Sequence, residues 1–381
     1  MALYLSLKEI WRNKGRFFLF SLVIALIAVL VLFIAALNEG LGNVNKEYLS
    51  KLDADLLIFQ ANADRSASAS RIDRTVLNDI RRIEGVHSAG ALGIANGGIV
   101  FENNRKQLKV TLIGVEANAP GLPQMKSGLM LQLNRGNEVI IDANVASQRN
   151  IHIGDTITIK TTQGTREELF NLRVVGITDS QQYLYLPSVF IPYITWNRIR
   201  PQPNAPMELI SNVIVVKSSD PAHLEELINA IETRVQNVEV VGKQKAIESL
   251  PGYSAQKSTL NTQQTFTLLI GVLVIGGFFQ IQMLQKVPLI GVLKAIGAAN
   301  ATIAGAVILQ IIIVTTFGVF MGGIVTMALS LALGDGIPIA FNGSSVIMAV
   351  VALLAIGPIG GLVSVRLALS VEPLIALGLS S

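Results

Sequence analysis

Residues 17–37 read Phe-Phe-Leu-Phe-Ser-Leu-Val-Ile-Ala-Leu-Ile-Ala-Val-Leu-Val-Leu-Phe-Ile-Ala-Ala-Leu, without one charge. About 20 residues of helix, rising ~1.5 Å each, cross the ~30 Å hydrocarbon core of a bilayer. The stretch therefore predicts a transmembrane helix and settles the class of protein before anything else is read. Lys8, Arg12, Lys14 and Arg16 precede it, as they would in a signal peptide. For a cleaved signal, however, the apolar run is too long, and Asn38-Glu39-Gly40 offers no small-x-small cleavage site.

Outward from this stretch, the 381 residues are 51% hydrophobic with a mean hydropathy of +0.52, too apolar for an ordinary soluble globule. Apolar blocks recur at 263–285, 301–333 and 345–366, giving four spans; Gly334, Asp335, Gly336 and Pro338 interrupt the chain between the last two, and Pro358 is a candidate kink. Residues 38–262 hold most of the charged residues; outside that long segment, Lys and Arg fall in 1–16, in 286–300 (Lys286, Lys294) and at Arg366, while the 334–344 loop carries only Asp335. By the positive-inside rule both termini, including the 367–381 tail, lie in the cytoplasm and residues 38–262 lie outside. The expected location is the cell membrane, crossed several times. Leu3, Leu7, Ile10 and Trp11 at helical spacing suggest an amphipathic helix on the inner leaflet. Gly318/Gly322 and Gly357/Gly361 have the small-xxx-small spacing of close helix contacts, and Gln280, Gln282 and Gln310 are polar groups within or beside spans.

The outer segment reads as α+β. Residues 54–60 form a strand, 72–83 a helix with Val76, Leu77, Ile80 and Ile83 on one face, and 106–115 a strand; 212–216, 221–235 and 238–241 repeat the strand-helix-strand order. Two such units suggest a ferredoxin-like module. Residues 138–142, 151–161 and 169–177 alternate like short strands and predict a small β-rich insert.

Chemistry is hard to find. Gly242-Lys243 is followed by Gln244 and lacks the earlier glycine of a phosphate-cradling loop. No G-x-S-x-G is present. The net charge of +4 is scattered rather than gathered into a nucleic-acid stripe. There is no cysteine, and His87, His152 and His223 lack metal-ligand spacing. The reading assigns no catalytic residue, no metal and no cofactor to this chain.

Ile290-Gly291-Val292-Leu293-Lys294-Ala295-Ile296-Gly297-Ala298, together with one span before and three after a large outer domain, resembles the MacB/FtsX-like (type VII) permeases of ABC transporters. The resemblance implies a homodimer in the lipid membrane, bound to a separate ABC ATPase subunit that holds ATP and Mg. It makes residues 287–300 a coupling helix, with Ile290, Gly291, Leu293, Lys294, Ile296 and Gly297 meeting the ATPase. Typical members carry Arg-Glu just before the Ile-Gly; here Pro288 and Leu289 stand there, which makes that contact more apolar. Residues 31–42, Asp53-Ala54-Asp55 and Leu284-Gln285-Lys286 look most like HrtB-type haem exporters, with DevC-type permeases sharing some features. That likeness implies mechanotransmission of a haem-like cargo, with Glu39, Tyr48 and Tyr253 as candidate contacts and Tyr183 and Tyr185 as further phenols. Two other readings stay open. A DevC/MacB-like subunit of a tripartite pump for glycolipid or drug implies a periplasmic adaptor and an outer-membrane channel; an FtsX-like signalling protein implies control of a cell-wall hydrolase.

Overall fold

The computed structural model describes residue 8 and residues 10–101, 107–202, 209–333 and 338–370. The chain divides into two compact units: 1–41 with 256–381, and 42–255. Most of the expected amphipathic helix, Lys106, residues 334–337 and the 371–381 tail lie outside the described residues.

Among the described residues four helices are long and apolar enough to cross a membrane: α1 (Lys14–Lys51), α7 (Tyr253–Ala295), α8 (Asn300–Leu333) and α9 (Gly343–Ser370). The first two differ from expectation. α1 does not stop at Leu37 but continues through Asn38, Glu39 and Gly40 to Lys51, and α7 runs unbroken through Pro288 to Ala295. The 286–300 segment is therefore the last turns of α7 and a short connection, rather than a loop with a helix of its own. Ile24, Ala28 and Val31 of α1, Ile275, Phe279 and Met283 of α7, Ile311 and Val314 of α8, and Leu353 and Ile356 of α9 form one apolar core. Small residues set its closest approaches. A Cβ on Gly318 would lie 2.7 Å from Ile24, and one on Gly322 2.6 Å from Ala28.

The other unit is built on a sheet in the order β12-β1-β11-β3-β4-β9-β6-β8-β5, with β7 pairing β3 and β8. These strands are β1 (Leu56–Gln60), β3 (Val86–Val100), β4 (Leu108–Val115), β5 (Met125–Gly128), β6 (Glu138–Asp142), β7 (Thr156–Gln163), β8 (Arg166–Thr178), β9 (Ser188–Pro192), β11 (Val213–Ser218) and β12 (Val238–Gly242); β2 (Ile72–Asp73) and β10 (Ile210–Ser211) pair separately. The run β12-β1-β11-β3 is antiparallel throughout. With α2 (Arg74–Ile80) after β1 and α5 (Leu224–Arg234) after β11, it is the split β-α-β arrangement of a ferredoxin-like module. β1 explains why the sheet is covered on both sides: Leu56 and Ile58 enter one buried cluster, Leu57 and Phe59 the other.

The β-rich part is no separate insert. β3 is long enough to pair with β11 at one end and with β4 and β7 at the other. Its far half therefore joins β4, β9, β6, β8 and β7 in a closed ring packed around Ile99, Leu112, Ile141, Ile159 and Trp196. Three short helices complete the unit: α3 (Ala143–Arg149), α4 (Tyr193–Ile199) and α6 (Lys243–Glu248). Two expected helices are trimmed at their starts. Ile72 and Asp73 pair with β10 as β2, so α2 starts at Arg74, and the Asp220 carboxylate accepts from the Ala222 N–H, turning 221–223 into a 3-10 turn before α5.

Candidate functional site

At the end of α7 the sequence Lys294-Ala295-Ile296-Gly297-Ala298 closes the helix. Gly297 has φ +95°, the Gly297 N–H donates to the Lys294 carbonyl (3.0 Å), and the Ala298 N–H donates to the Leu293 carbonyl (2.9 Å). These are the two bonds of a Schellman C-cap, which a residue with a Cβ adopts at a cost. The cap sets which predicted coupling residues are available. Ile296 is 80% exposed, and Leu289 and Val292 lie exposed on preceding turns, while Ile290 and Gly291 are buried and Leu293 is half-buried. Lys294 Nζ donates to the Leu369 carbonyl at 2.7 Å. The exposed apolar residues at this end are Leu289, Val292 and Ile296; of these, Val292 lies outside both the expected coupling set and the Pro288-Leu289 departure. Polar side chains gather nearby: Lys286 Nζ donates to Gln310 Oε1 at 2.9 Å and lies over the Phe17 ring, and Arg16 bonds Gln285.

Glu39 sits where α1 meets the start of α9. Its carboxylate accepts from Asn342 Nδ2 (3.3 Å) and Ser345 Oγ (3.2 Å). The Ala340 N–H donates to the Ala36 carbonyl, and a Cβ on Gly40 would fall 1.8 Å from the Pro338 carbonyl oxygen, so glycine is required for this approach. Glu39 is half-buried, and each of its carboxylate oxygens is held by one of these two side chains.

Tyr48 and Tyr253 belong to the other unit and share one buried cluster. Tyr48 is 1% exposed, packs on Phe190 and donates its hydroxyl to the Gly121 carbonyl at 2.8 Å. Burial holds this phenol above its ordinary value, and the structure places Tyr48 inside a packed core with its hydroxyl already engaged. Tyr253 is 8% exposed and packs against Gly42. Tyr183 is likewise buried and raised.

The residue the sequence reading missed is Glu47. One carboxylate oxygen accepts from Ser180 Oγ (2.6 Å) and the Gln182 N–H (3.4 Å), and the other from Lys51 Nζ (3.0 Å). Lys51 in turn donates to the Ser180 carbonyl, and the Tyr48 N–H donates to the Gln182 carbonyl. The C-terminal end of α1 is thereby fastened to the 180–186 turn. Only the i, i+4 spacing of Glu47 and Lys51 hinted at this. Beside it, buried Asp142 caps α3 through the Asn144 N–H and accepts from the Gln181 N–H. Burial raises its pKa, the nearby Glu47 charge adds to the rise, and backbone hydrogen bonds from Asn144, Gln181 and Ser188 oppose it.

His152 and His223 each pair with a surface aspartate three residues away. Among the described residues no group of three or more His, Asp or Glu is gathered to hold a metal.

Two family descriptions match the chain: a MacB-like periplasmic core domain over residues 17–234 and an FtsX-like permease C-terminal region over 264–373. Among relatives, a protein of Staphylococcus haemolyticus named as the hemin transport system permease HrtB is 27% identical across 98% of this chain and 99% of its own. An uncharacterized ABC transporter permease of Mycobacterium bovis is 20% identical across 99% of both chains. The crystal structure of the periplasmic region of MacB from Actinobacillus actinomycetemcomitans aligns with 52% of this chain and 94% of that one at 18% identity. Its TM-score is 0.38, a superposition too loose to bear on function.

Proposed function

The chain belongs to the MacB/FtsX-type permeases of ABC transporters, and on that premise we propose that it is the membrane half of a haem exporter. In this reading a homodimer, with all its termini in the cytoplasm, is driven by a separate ATPase subunit that holds ATP and Mg. The observation that carries the mechanical part is length. At ~1.5 Å per residue the 38 residues of α1 and 43 of α7 extend about 57 and 65 Å, roughly twice a ~30 Å hydrocarbon core. A displacement imposed on the Leu289/Val292/Ile296 tip of α7 then has a continuous helix to travel along.

The relative named for hemin transport supports the cargo, and Glu39 supplies a group for it. Haem is flat and largely apolar, so it partitions into the bilayer. An anchored carboxylate at the outer end of a span offers ferric iron a hard anionic ligand without placing a charge in mid-membrane. Titrating ferric haem into the purified chain should shift the Soret band saturably, and Glu39→Gln should weaken that binding about tenfold, the scale of one hydrogen bond or ligand contact to a charge. An absent shift removes haem as the cargo, and a shift identical in Glu39→Gln removes Glu39 as its ligand. Transport that needs an adaptor and an outer-membrane channel would favour the DevC/MacB-like alternative.

A further inference from the structure

The 42–255 unit contains a cavity of about 340 Å³, and neither export nor haem explains it. At ~30 Å³ per water it has room for a molecule of about ten heavy atoms, at the low end of the ~300–1,000 Å³ range of ligand sites. Ile94 of β3, Trp196 of α4 and Leu184 give it an apolar wall. Arg71, at its mouth, and Asn96 supply polar groups, and no Asp or Glu is among the described residues that line it. Ile94 is only half-buried although it lies in the middle of a sheet, because it faces this space.

One wall is under strain. Leu184 and Tyr185 have φ of +49° and +65°, a left-handed pair that bulky side chains rarely occupy. Their turn is closed by two hydrogen bonds between Tyr183 and Leu186. It is also the turn that Glu47 and the Tyr48 N–H grip. Asn45, on the same face of α1, is completely buried, with neither side-chain amide atom hydrogen-bonded, while its carbonyl accepts from the Leu184 N–H. A molecule seated in the cavity would therefore press on a turn held out of its relaxed geometry and bonded to the C-terminal end of α1.

We propose that this cavity is a binding site for a small amphiphile bearing one carboxylate, its apolar body against Ile94, Leu184 and Trp196 and its charge at Arg71 and Asn96. Occupancy stiffens the 180–186 turn and, through it, the grip on α1. The carboxylate is favoured over a neutral head because the described rim carries guanidinium and amide donors without a competing anion, and hydrogen bonds to charges are the stronger ones.

The chain has two tryptophans, Trp11 and Trp196, so Trp11→Phe in the full-length protein leaves Trp196 as the sole reporter. Octanoate should change Trp196 emission saturably, octanamide at least tenfold more weakly, and Arg71→Gln should weaken octanoate about tenfold. Ser68→Phe, which fills the mouth without touching the core, should abolish the response. Octanoate should also slow amide hydrogen exchange across 180–186. Equal responses to acid and amide, indifference to Arg71→Gln, or no saturable change with octanoate would each overturn the proposal; partition into lipid alone gives the first two results.

Discussion

Replacing Glu47 by alanine should loosen the joint between α1 and the sheet it enters. The side chain accepts a 2.6 Å bond from Ser180 and a 3.4 Å bond from the Gln182 N–H, and pairs with Lys51 one turn on. A hydrogen bond to a charged group contributes about 1.5–3 kcal/mol. The longer bond contributes at the bottom of that range or below it. The i, i+4 ion pair is partly exposed and adds only about 0.3–0.5 kcal/mol. The total is about 2–4 kcal/mol. At ~2–4 °C per kcal/mol for a unit of this size, Glu47→Ala should lower Tm by about 4–16 °C, and Glu47→Gln, which keeps an acceptor, by roughly half. Scanning calorimetry of the full chain measures this. A double-mutant cycle with Ser180→Ala should return a coupling of about 1–2 kcal/mol. If Glu47→Ala shifts Tm by under 1 °C, or the two substitutions add without coupling, the latch does not exist as described.

Other outcomes follow from single contacts. Gly276 and Gly360 meet backbone to backbone, a Cβ on Gly360 falling 2.7 Å from the Val272 carbonyl oxygen. Gly360→Val should therefore cost about 1–3 kcal/mol of overpacking, whereas Gly277→Val, with nothing within 4 Å, should leave Tm within 1–2 °C, roughly the effect of a surface change. Because the folded pKa of Asp142 is raised, the folded state holds its proton the more tightly. Its contribution is then complete below about pH 4 and is lost as pH rises through the raised value. Asp142→Asn should thus be most destabilising in acid, with the gap in Tm closing toward neutrality; a gap that widens with pH would reverse the sign. At the Leu289/Val292/Ile296 tip of α7, Leu289→Asp with Ile296→Asp should leave Tm unchanged yet abolish transport coupled to ATP hydrolysis. Ile290→Asp, at a position only 4% exposed, should instead destabilise the membrane unit.

The parts of this architecture carried by local pattern could be read from residues. Charge-free runs marked the four long helices, and the strand-helix-strand order around Leu56–Gln60 and Val213–Ser218 marked the ferredoxin-like half. What escaped was set by partners distant in sequence. The fifteen-residue β3 reads Val-His-Ser-Ala-Gly-Ala-Leu-Gly-Ile-Ala-Asn-Gly-Gly-Ile-Val, poor in β-branched residues. It is a strand because β11, β4 and β7 all pair with it. The reach of two helices was not legible for a related reason: α1 continues past Glu39 to Lys51, and α7 past Pro288 to Ala295. Among the candidate site residues, Tyr48 drew attention as a phenol at an interface, and only the fold shows its hydroxyl donated to the Gly121 carbonyl. Glu47, an ordinary surface-looking acid, acquires its role from a turn more than 130 residues away.

Sidedness is the claim on which the transport reading rests, and the chain's lack of cysteine makes it directly measurable. Thr165→Cys, in the exposed turn between β7 and β8, and Ile296→Cys, at the tip of α7, should be tested in intact cells with a membrane-impermeant maleimide. The account predicts that Thr165→Cys labels at once and Ile296→Cys only after the cells are permeabilised. Labelling of Ile296→Cys from outside, with Thr165→Cys protected, would contradict it.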